Sequence, residues 1–337
     1  MTTSSTPKSH PLLVLSFLLL LLGRSSLAKK ERCHPEDKRV LLKIKKAFND
    51  PYILTSWFPD RDCCTAWYCV ECDPTTNRII ELTIFQGDLP GRIPDAIGDL
   101  PYLQNIFFHK LTNFSGPIPY SITKLKYLKS LTISWVNLTG TIPDFLGQLK
   151  NLTYLNLSFN NLTGPIPTTL SQIPNLGYIG LDRNKLTGTI PASLVNPKSP
   201  PYLILSHNQL SGEIPSSFGD VDFGKIDLSR NKLRGDISML FGRNKTTQIM
   251  DFSRNTFEFN MSNLEIHPSL TFLDLNHNKI YGSIPDVMTQ LELQGFNVSY
   301  NRLCGKIPQG GTLQTRFDYS AYFHNRCLCG APLNITC

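Results

Sequence analysis

From about residue 80 onward the chain repeats one short pattern of apolar and polar positions. In Asn151–Ile173, NLTYLNLSFNNLTGPIPTTLSQI, the apolar residues Leu152, Leu155, Leu157, Leu162, Ile166 and Leu170 are interrupted by Asn160 and punctuated by Gly164 and Pro167. The first apolar residue of the pattern L-x-L-x-x-N-x-L-x-G-x-I-P recurs as Leu82, Ile106, Leu131, Leu155, Ile179, Leu203, Ile226, Met250, Leu273 and Phe296, ten copies spaced by 23 to 25 residues. One copy buries too little apolar surface to offset the ordering of its backbone, whereas stacked copies share one continuous core. Each L-x-L segment reads as a short strand with its two apolar residues pointing inward and the intervening residues outward. Side by side, ten such strands form a parallel sheet about 45 Å long at ~4.8 Å per strand.

A period of this length with fixed residue types is the leucine-rich repeat pattern. It predicts an α/β solenoid of ten repeats of ~24 residues, with the parallel sheet on its concave face. Asn160, Asn184, Asn208, Asn231, Asn255, Asn278 and Asn301 recur three residues after the second apolar position. A turn there leaves backbone groups unpaired inside the stack, and an asparagine amide can satisfy them. The first three repeats carry Gly87, Thr112 and Val136 instead, and the eighth lacks both the glycine and the Ile-Pro pair, with Phe259 at the glycine position. Local irregularity is expected there. Pairs such as Ile142-Pro143 and Ile190-Pro191 turn the chain on the other side, into edge-like or short helical structure, because proline cannot donate to a ladder.

The two ends differ from the repeats. Residues 1–28 read as a secretory signal peptide, with Lys8, the apolar run Leu12–Leu22 and the small residues Ser26-Leu27-Ala28. Eleven apolar residues span only ~17 Å as a helix, too short for a bilayer, and no later stretch suits a membrane span. Residues 29–79 form an N-terminal cap: Pro35 suits a first helical turn, and Val40, Leu41, Ile44 and Phe48 share one helical face. Trp57 and Trp67 can cover the first repeat, the repeats occupy 80–308, and 309–337 is a C-terminal cap. All nine cysteines lie in the caps, Cys33, Cys63, Cys64, Cys69, Cys72, Cys304, Cys327, Cys329 and Cys337. In a secreted chain these are disulfide staples rather than a zinc site, since no histidine pair keeps ligand spacing with them. Nine is odd, so one thiol is left over, and spacing nominates Cys69.

The outward positions of the strands make the candidate partner surface: Tyr154, Asn156, Phe159, Tyr178, Asp182, Arg183, Tyr202, His207, Asp227, Arg230, Gln248, Asp251 and Asp274. The N-terminal half of this face is aromatic. The C-terminal half carries a row of acids, Asp182, Asp227, Asp251 and Asp274, beside Arg183, Arg230 and Arg254. Exposed aromatics and arginine are the types enriched at interface hot spots. The competing reading is a solvated sheet of self-paired Asp–Arg ladders. Asp182, His207 and Asp227 on neighbouring strands do not by themselves make an enzyme: no serine elbow, metal motif or phosphate loop accompanies them, and no cofactor is expected.

Formal charge is +7; removing Lys8 and Arg24 with the signal leaves +5. A basic protein outside a cell associates with polyanions such as acidic wall polysaccharide, but no basic run is dense enough to argue for nucleic acid. Nine N-x-S/T sequons occur. Asn113, Asn137, Asn151, Asn161, Asn244, Asn260 and Asn334 are glycosylation candidates, whereas Asn156 and Asn297 project from the concave sheet, where a glycan would obstruct binding.

The cap sequences CHPEDKRVLLKIKKAF and DCCTAWYCVECD, ten repeats of the L-x-x-L-x-L-x-x-N-x-L-x-G-x-I-P type and the closing FHNRCLCGAPL together resemble the plant polygalacturonase-inhibiting proteins over essentially all of the mature chain. That resemblance implies a right-handed superhelix with short 3-10 helices and a second short sheet toward the convex side. It implies disulfides Cys33–Cys63, Cys64–Cys72, Cys304–Cys327 and Cys329–Cys337. It also implies a monomeric, secreted wall protein with no catalysis of its own, which binds fungal endopolygalacturonases through the concave face and limits attack on pectin (homogalacturonan). The family's acidic positions fall on Asp182 and Asp227, and Asn156 stands where some members have an acid. Alternatives are a receptor-like ectodomain or co-receptor for a peptide, and a non-inhibitory pectin-binding wall protein. Ice binding would need a regular Thr or Asn array across many repeats of an outer face, which the sequence does not show.

Overall fold

The computed structural model describes residues 32–195 and 201–337, together with Met1; the expected signal peptide lies outside the described residues. The chain divides into two units, Met1–Arg32 and Cys33–Cys337, and the fold is that of the second. Ten repeat strands run parallel in chain order, from Ile79–Gly91 to Gly295–Asn297, with Val70–Cys72 of the cap added antiparallel at one end. The register is one residue per repeat throughout: Leu203 pairs with Ile179 and Ile226, and Met250 with Ile226 and Leu273. The anchor residues therefore stack on one another inside, and buried apolar side chains form one cluster from Cys33 to Leu328.

The asparagines close each turn as the sequence pattern requires. Asn184 accepts from the Leu162 amide at 3.0 Å and donates to the carbonyls of Leu157 and Leu181 at 2.9 and 3.1 Å. Asn208 does the same one repeat later, with Leu186, Leu181 and Leu205. Each amide thus ties its own turn to the preceding one. The first two repeats differ. Without the asparagine, the strands continue for 13 and 12 residues, Ile79–Gly91 and Asn105–Gly116. Gly87 and Asp88 pair directly with Leu111 and Thr112, so the turn's backbone groups are satisfied by a ladder.

On the far side, prolines 94, 119, 143, 167, 215 and 285 each immediately precede a five-residue 3-10 helix, with φ near the ring's preferred value. In the seventh repeat Gly235-Asp236-Ile237-Ser238 puts Ser238 where proline stands elsewhere, and the helix there shrinks to Ser238–Leu240. In the eighth repeat Phe259 is buried where glycine is expected elsewhere, and no 3-10 helix forms between Phe257 and Leu270. The second sheet is present in pieces, such as Ser211–Glu213 with Lys232–Gly235 and Thr256–Phe257.

Both caps are built as expected, with additions. The helix Pro35–Ala47 buries Val40, Leu41 and Ile44. Trp57 and Trp67 stack at 5.3 Å over the first repeat. Asp37, also buried, takes Arg78 in a two-pronged pair at 2.9 and 2.7 Å and accepts from the Ile79 amide at 2.9 Å. That lock between cap and first strand carries no signal in the repeat pattern. The four disulfides are those implied by the resemblance, and Cys69 is free. At the C-terminus Asn325 repeats the ladder contact, accepting from Leu303 and donating to Val298 and Tyr322. The cap therefore begins as an eleventh, truncated repeat.

Replacing Asn184 or Asn208 by alanine leaves three buried backbone groups unpaired across two turns, each costing about 1–3 kcal/mol. Chemical denaturation should show a loss of roughly 3 kcal/mol or more; a loss below ~0.5 kcal/mol, ordinary for a surface substitution, would contradict the role given to the ladder.

Candidate functional site: the concave face

Three columns of side chains run along the concave face, each set by its offset from the anchor. The residue one position after the anchor gives Asn156, Asp227, Asp251, Asp274 and Asn297, and the strand pairing aligns the last four. All five have the same local seat. One Oδ accepts from the backbone amide two residues on: Ser158 and Ser229 at 3.0 Å, Ser253 at 3.0 Å, Asn276 at 2.9 Å and Ser299 at 3.0 Å. Asn156 is therefore an uncharged occupant of the aspartate seat. Asn156 and Asn297 are half-buried.

Asp182 corrects the expectation of a single acidic row. It lies three residues after its anchor, in register with Ser206 and Ser229 rather than with Asp227, while Gly180 and Ile204 occupy the acidic column between Asn156 and Asp227. The sequence reading grouped four acids by neighbourhood; the two-residue pleat separates them into two columns.

The second column was missed. The residue directly before each ladder asparagine has a left-handed backbone: Phe159, Arg183, His207, Arg230, Arg254, His277 and Tyr300 all have φ of 53–55°. Left-handed backbone at a non-glycine residue costs on the order of 1 kcal/mol. Here it is held by hydrogen bonds across repeats, such as Arg183 N–H to Ser206 O at 2.9 Å and Arg230 N–H to Ser253 O at 2.8 Å. The result is stacking in two stretches of the column. Lys110 lies 5.7 Å from the Trp135 ring, Trp135 stacks on Phe159 at 3.8 Å, and Arg183 sits 4.9 Å over Phe159. Farther along, His277 and Tyr300 stack at 4.0 Å. A long side chain before every asparagine, never a glycine, was the available signal.

The third column precedes the anchors. Tyr154 stacks on Tyr178 at 4.1 Å and Tyr178 on Tyr202 at 6.5 Å. Tyr202 is exposed, whereas Tyr154, Tyr178 and Phe159 are half-covered by one another and by neighbouring strands. Gln248 is exposed at the rim, where its carbonyl accepts from the amides of Thr271 and Phe272 at 2.9 and 3.1 Å. The columns enclose a trough of about 810 Å³ whose lining includes Tyr178, Asp182, Tyr202, His207, Asp227 and Asp251.

Among the described residues no ion pair within 4.0 Å joins a concave aspartate to Arg183, Arg230 or Arg254. The self-paired ladder is thus absent, and both signs of charge face outward. Burial pushes Asp182 up to about 6, with the charge of Asp227 adding to it. Burial likewise pushes Asp251 up to about 6, with Asp227 and Asp274 adding, and Asp274 is raised by the same cause. His207 and His277 are lowered by burial and by neighbouring arginines.

The geometry defines a leucine-rich repeat solenoid with a charged, aromatic concave face. Leucine-rich repeat models match residues 126–186, 202–221 and 269–291, and a leucine-rich repeat N-terminal domain matches 34–73. A polygalacturonase inhibitor of Vitis vinifera is 64% identical over 96% of this chain and 97% of its own. Polygalacturonase inhibitor 1 of Arabidopsis thaliana is 62% identical over 95% and 98%. Among solved structures, that of a plant ice-binding protein superposes with a TM-score of 0.87 at 52% identity, over 91% of this chain and 99% of that one. The chain belongs to the polygalacturonase-inhibitor family of leucine-rich repeat proteins, and like that family it is not an enzyme. Among the described residues no helix is long and apolar enough to cross a membrane.

A carboxyl whose folded pKa is raised from 3.8 binds protons between pH 4 and 6 that the unfolded chain has released. Stability from Asp182 and Asp251 is therefore full below about pH 4 and is lost as pH rises through about 6. Asp251→Asn should stabilise the protein at pH 7 by on the order of 1 kcal/mol, after allowance for partial exposure, and by almost nothing at pH 4. Equal effects at both pH values in thermal melts would contradict the assignment.

Proposed function

We propose that this protein is secreted to the plant cell wall, where it binds fungal endopolygalacturonases through its concave face and slows their attack on pectin. The observation that carries this reading is the trough of desolvated aspartates flanked by arginines that, among the described residues, no carboxylate pairs within 4.0 Å. Its relatives are polygalacturonase inhibitors, which supplies the enzyme class. A polygalacturonase holds a polyanion, so the rim of its cleft is basic. An acidic column docked on that rim blocks substrate entry, and charge pairing sets on-rate and selectivity. Tyr178, Tyr202 and Phe159 supply the apolar contact beside it.

The sequons support the same window. None falls between Asn161 and Asn244, the span that holds the trough's centre. The expected candidates Asn113, Asn137, Asn151, Asn244, Asn260 and Asn334 are exposed, and Asn161 is half-exposed with its amide bonded to Asn137. Glycans there would leave repeats five to seven open to a bulky partner.

The left-handed column favours a second, compatible contact. Arg183, His207, Arg230 and Arg254 repeat at the strand spacing and suit a linear polyuronate such as homogalacturonan, so the protein can also be held on the wall, as a monomer. The ice reading is weaker: exposed Thr139, Thr163 and Thr187 align over three repeats, then give way to Ser211, Arg234 and Glu258.

The test is titration of the purified protein against a panel of fungal polygalacturonases, measuring released reducing ends. Asp227→Lys should raise the inhibition constant at least tenfold, about 1.4 kcal/mol, and Asp182→Ala should weaken inhibition most at low salt. Unchanged constants for both variants would remove the acidic face from the contact.

A further inference from the structure

We infer that Asn151 carries an N-linked glycan whose first N-acetylglucosamine lies on the open ring face of Tyr127. The inference rests on the secretory route proposed above. Tyr102, Tyr127 and Asn151 occupy the same place in three consecutive repeats, four residues before the anchors Ile106, Leu131 and Leu155. The first two form a ring column along the rim: Arg78 lies 4.3 Å over Tyr102, and Tyr102 stacks on Tyr127 at 5.8 Å with 4° between planes. The column then ends in a ring more than half exposed, Tyr127 at 53%. One face of that ring is taken by Tyr102; the other points toward the next repeat, where the corresponding residue is the exposed sequon asparagine Asn151.

The amide of Asn151 is already placed for this. Its Nδ2 donates to the carbonyl of Lys126, the residue before Tyr127, at 2.7 Å. In glycosylation Nδ2 exchanges one hydrogen for a bond to C1 of the sugar; the lipid-linked pyrophosphate of the oligosaccharide donor leaves and a proton is released. The remaining N–H can still donate to Lys126, which fixes the direction in which the sugar departs. The axial C–H face of a pyranose is apolar and suits an aromatic face. A sugar in that position continues the Arg78–Tyr102–Tyr127 column by one repeat and walls the N-terminal rim of the concave face.

Other sequons lack this arrangement. Asn113 donates to Asp88 at 2.7 Å, and Asn161 is bonded to Asn137; neither has an exposed ring at its own repeat position in the preceding repeat.

The full chain, secreted from a plant host, can be mapped by glycopeptide mass spectrometry and melted as wild type, Tyr127→Ala, Asn151→Gln and the double variant. Asn151 should be occupied. Tyr127→Ala should lower Tm by about 1–2 °C more in the Asn151 chain than in the Asn151→Gln chain, the scale of one surface contact in a domain of this size. Tyr127→Phe, which keeps the ring face, should behave as wild type, and trimming to the first sugar should leave the difference intact. An unmodified Asn151, or substitutions whose effects simply add, would overturn the inference. A secreted chain glycosylated only elsewhere would sink it while leaving the proposed localisation standing.

Discussion

The asparagine ladder is the interaction on which the rest of this structure depends. A solenoid must turn sharply once per repeat, and every turn strands backbone donors and acceptors inside a stack that water does not enter. One amide per repeat, with an acceptor and two donor hydrogens, satisfies groups in its own turn and in the preceding one. Because the same contact recurs, the repeats keep one register, and because the register is kept, apolar anchors stack without a gap from cap to cap.

The working face follows from that constraint. The same turn, with or without the asparagine, puts one residue per repeat in a left-handed conformation, from Gln86 to Tyr300, and its side chain stands at the edge of the concave sheet. Repetition converts this into a column of cations and rings. The strand residue after the anchor is likewise converted into a column, in which Asp or Asn folds back on the amide two residues later. The scaffold thus fixes the positions and leaves the residue types free. Swapping Asp for Asn at one seat, as Asn156 illustrates, changes charge without changing geometry. Such seats can be varied at small cost to folding.

The repeat count, the strands, the ladder, the two caps and the irregular eighth repeat were all legible in the sequence, because each depends on periodic spacing of residue types. The long strands Ile79–Gly91 and Asn105–Gly116 were not, since their pairing is settled by what the absence of asparagine leaves unsatisfied. The Asp37–Arg78 lock joins residues 41 apart with no repeat to reveal it. At the site, the residues that face outward could be read from the pleat, but which of them share a column could not be read from proximity alone. Asp182 was grouped with Asp227 for that reason. The stacking of Trp135 on Phe159, and of Tyr154 on Tyr178, depends on side-chain conformations that no periodicity encodes. The pairing of the cysteines came from family resemblance rather than from spacing.

The central claim is that the concave columns from Tyr178 to Asp274 are where a macromolecular partner sits. Hydrogen exchange of the protein, alone and with a fungal polygalacturonase, tests this most directly. Added protection should fall on the amides of the concave turns, Asp182 to His277, with the 3-10 helices Asp144–Gln148 and Thr168–Gln172 on the opposite side unchanged. Protection confined to those helices or to the caps would contradict the account.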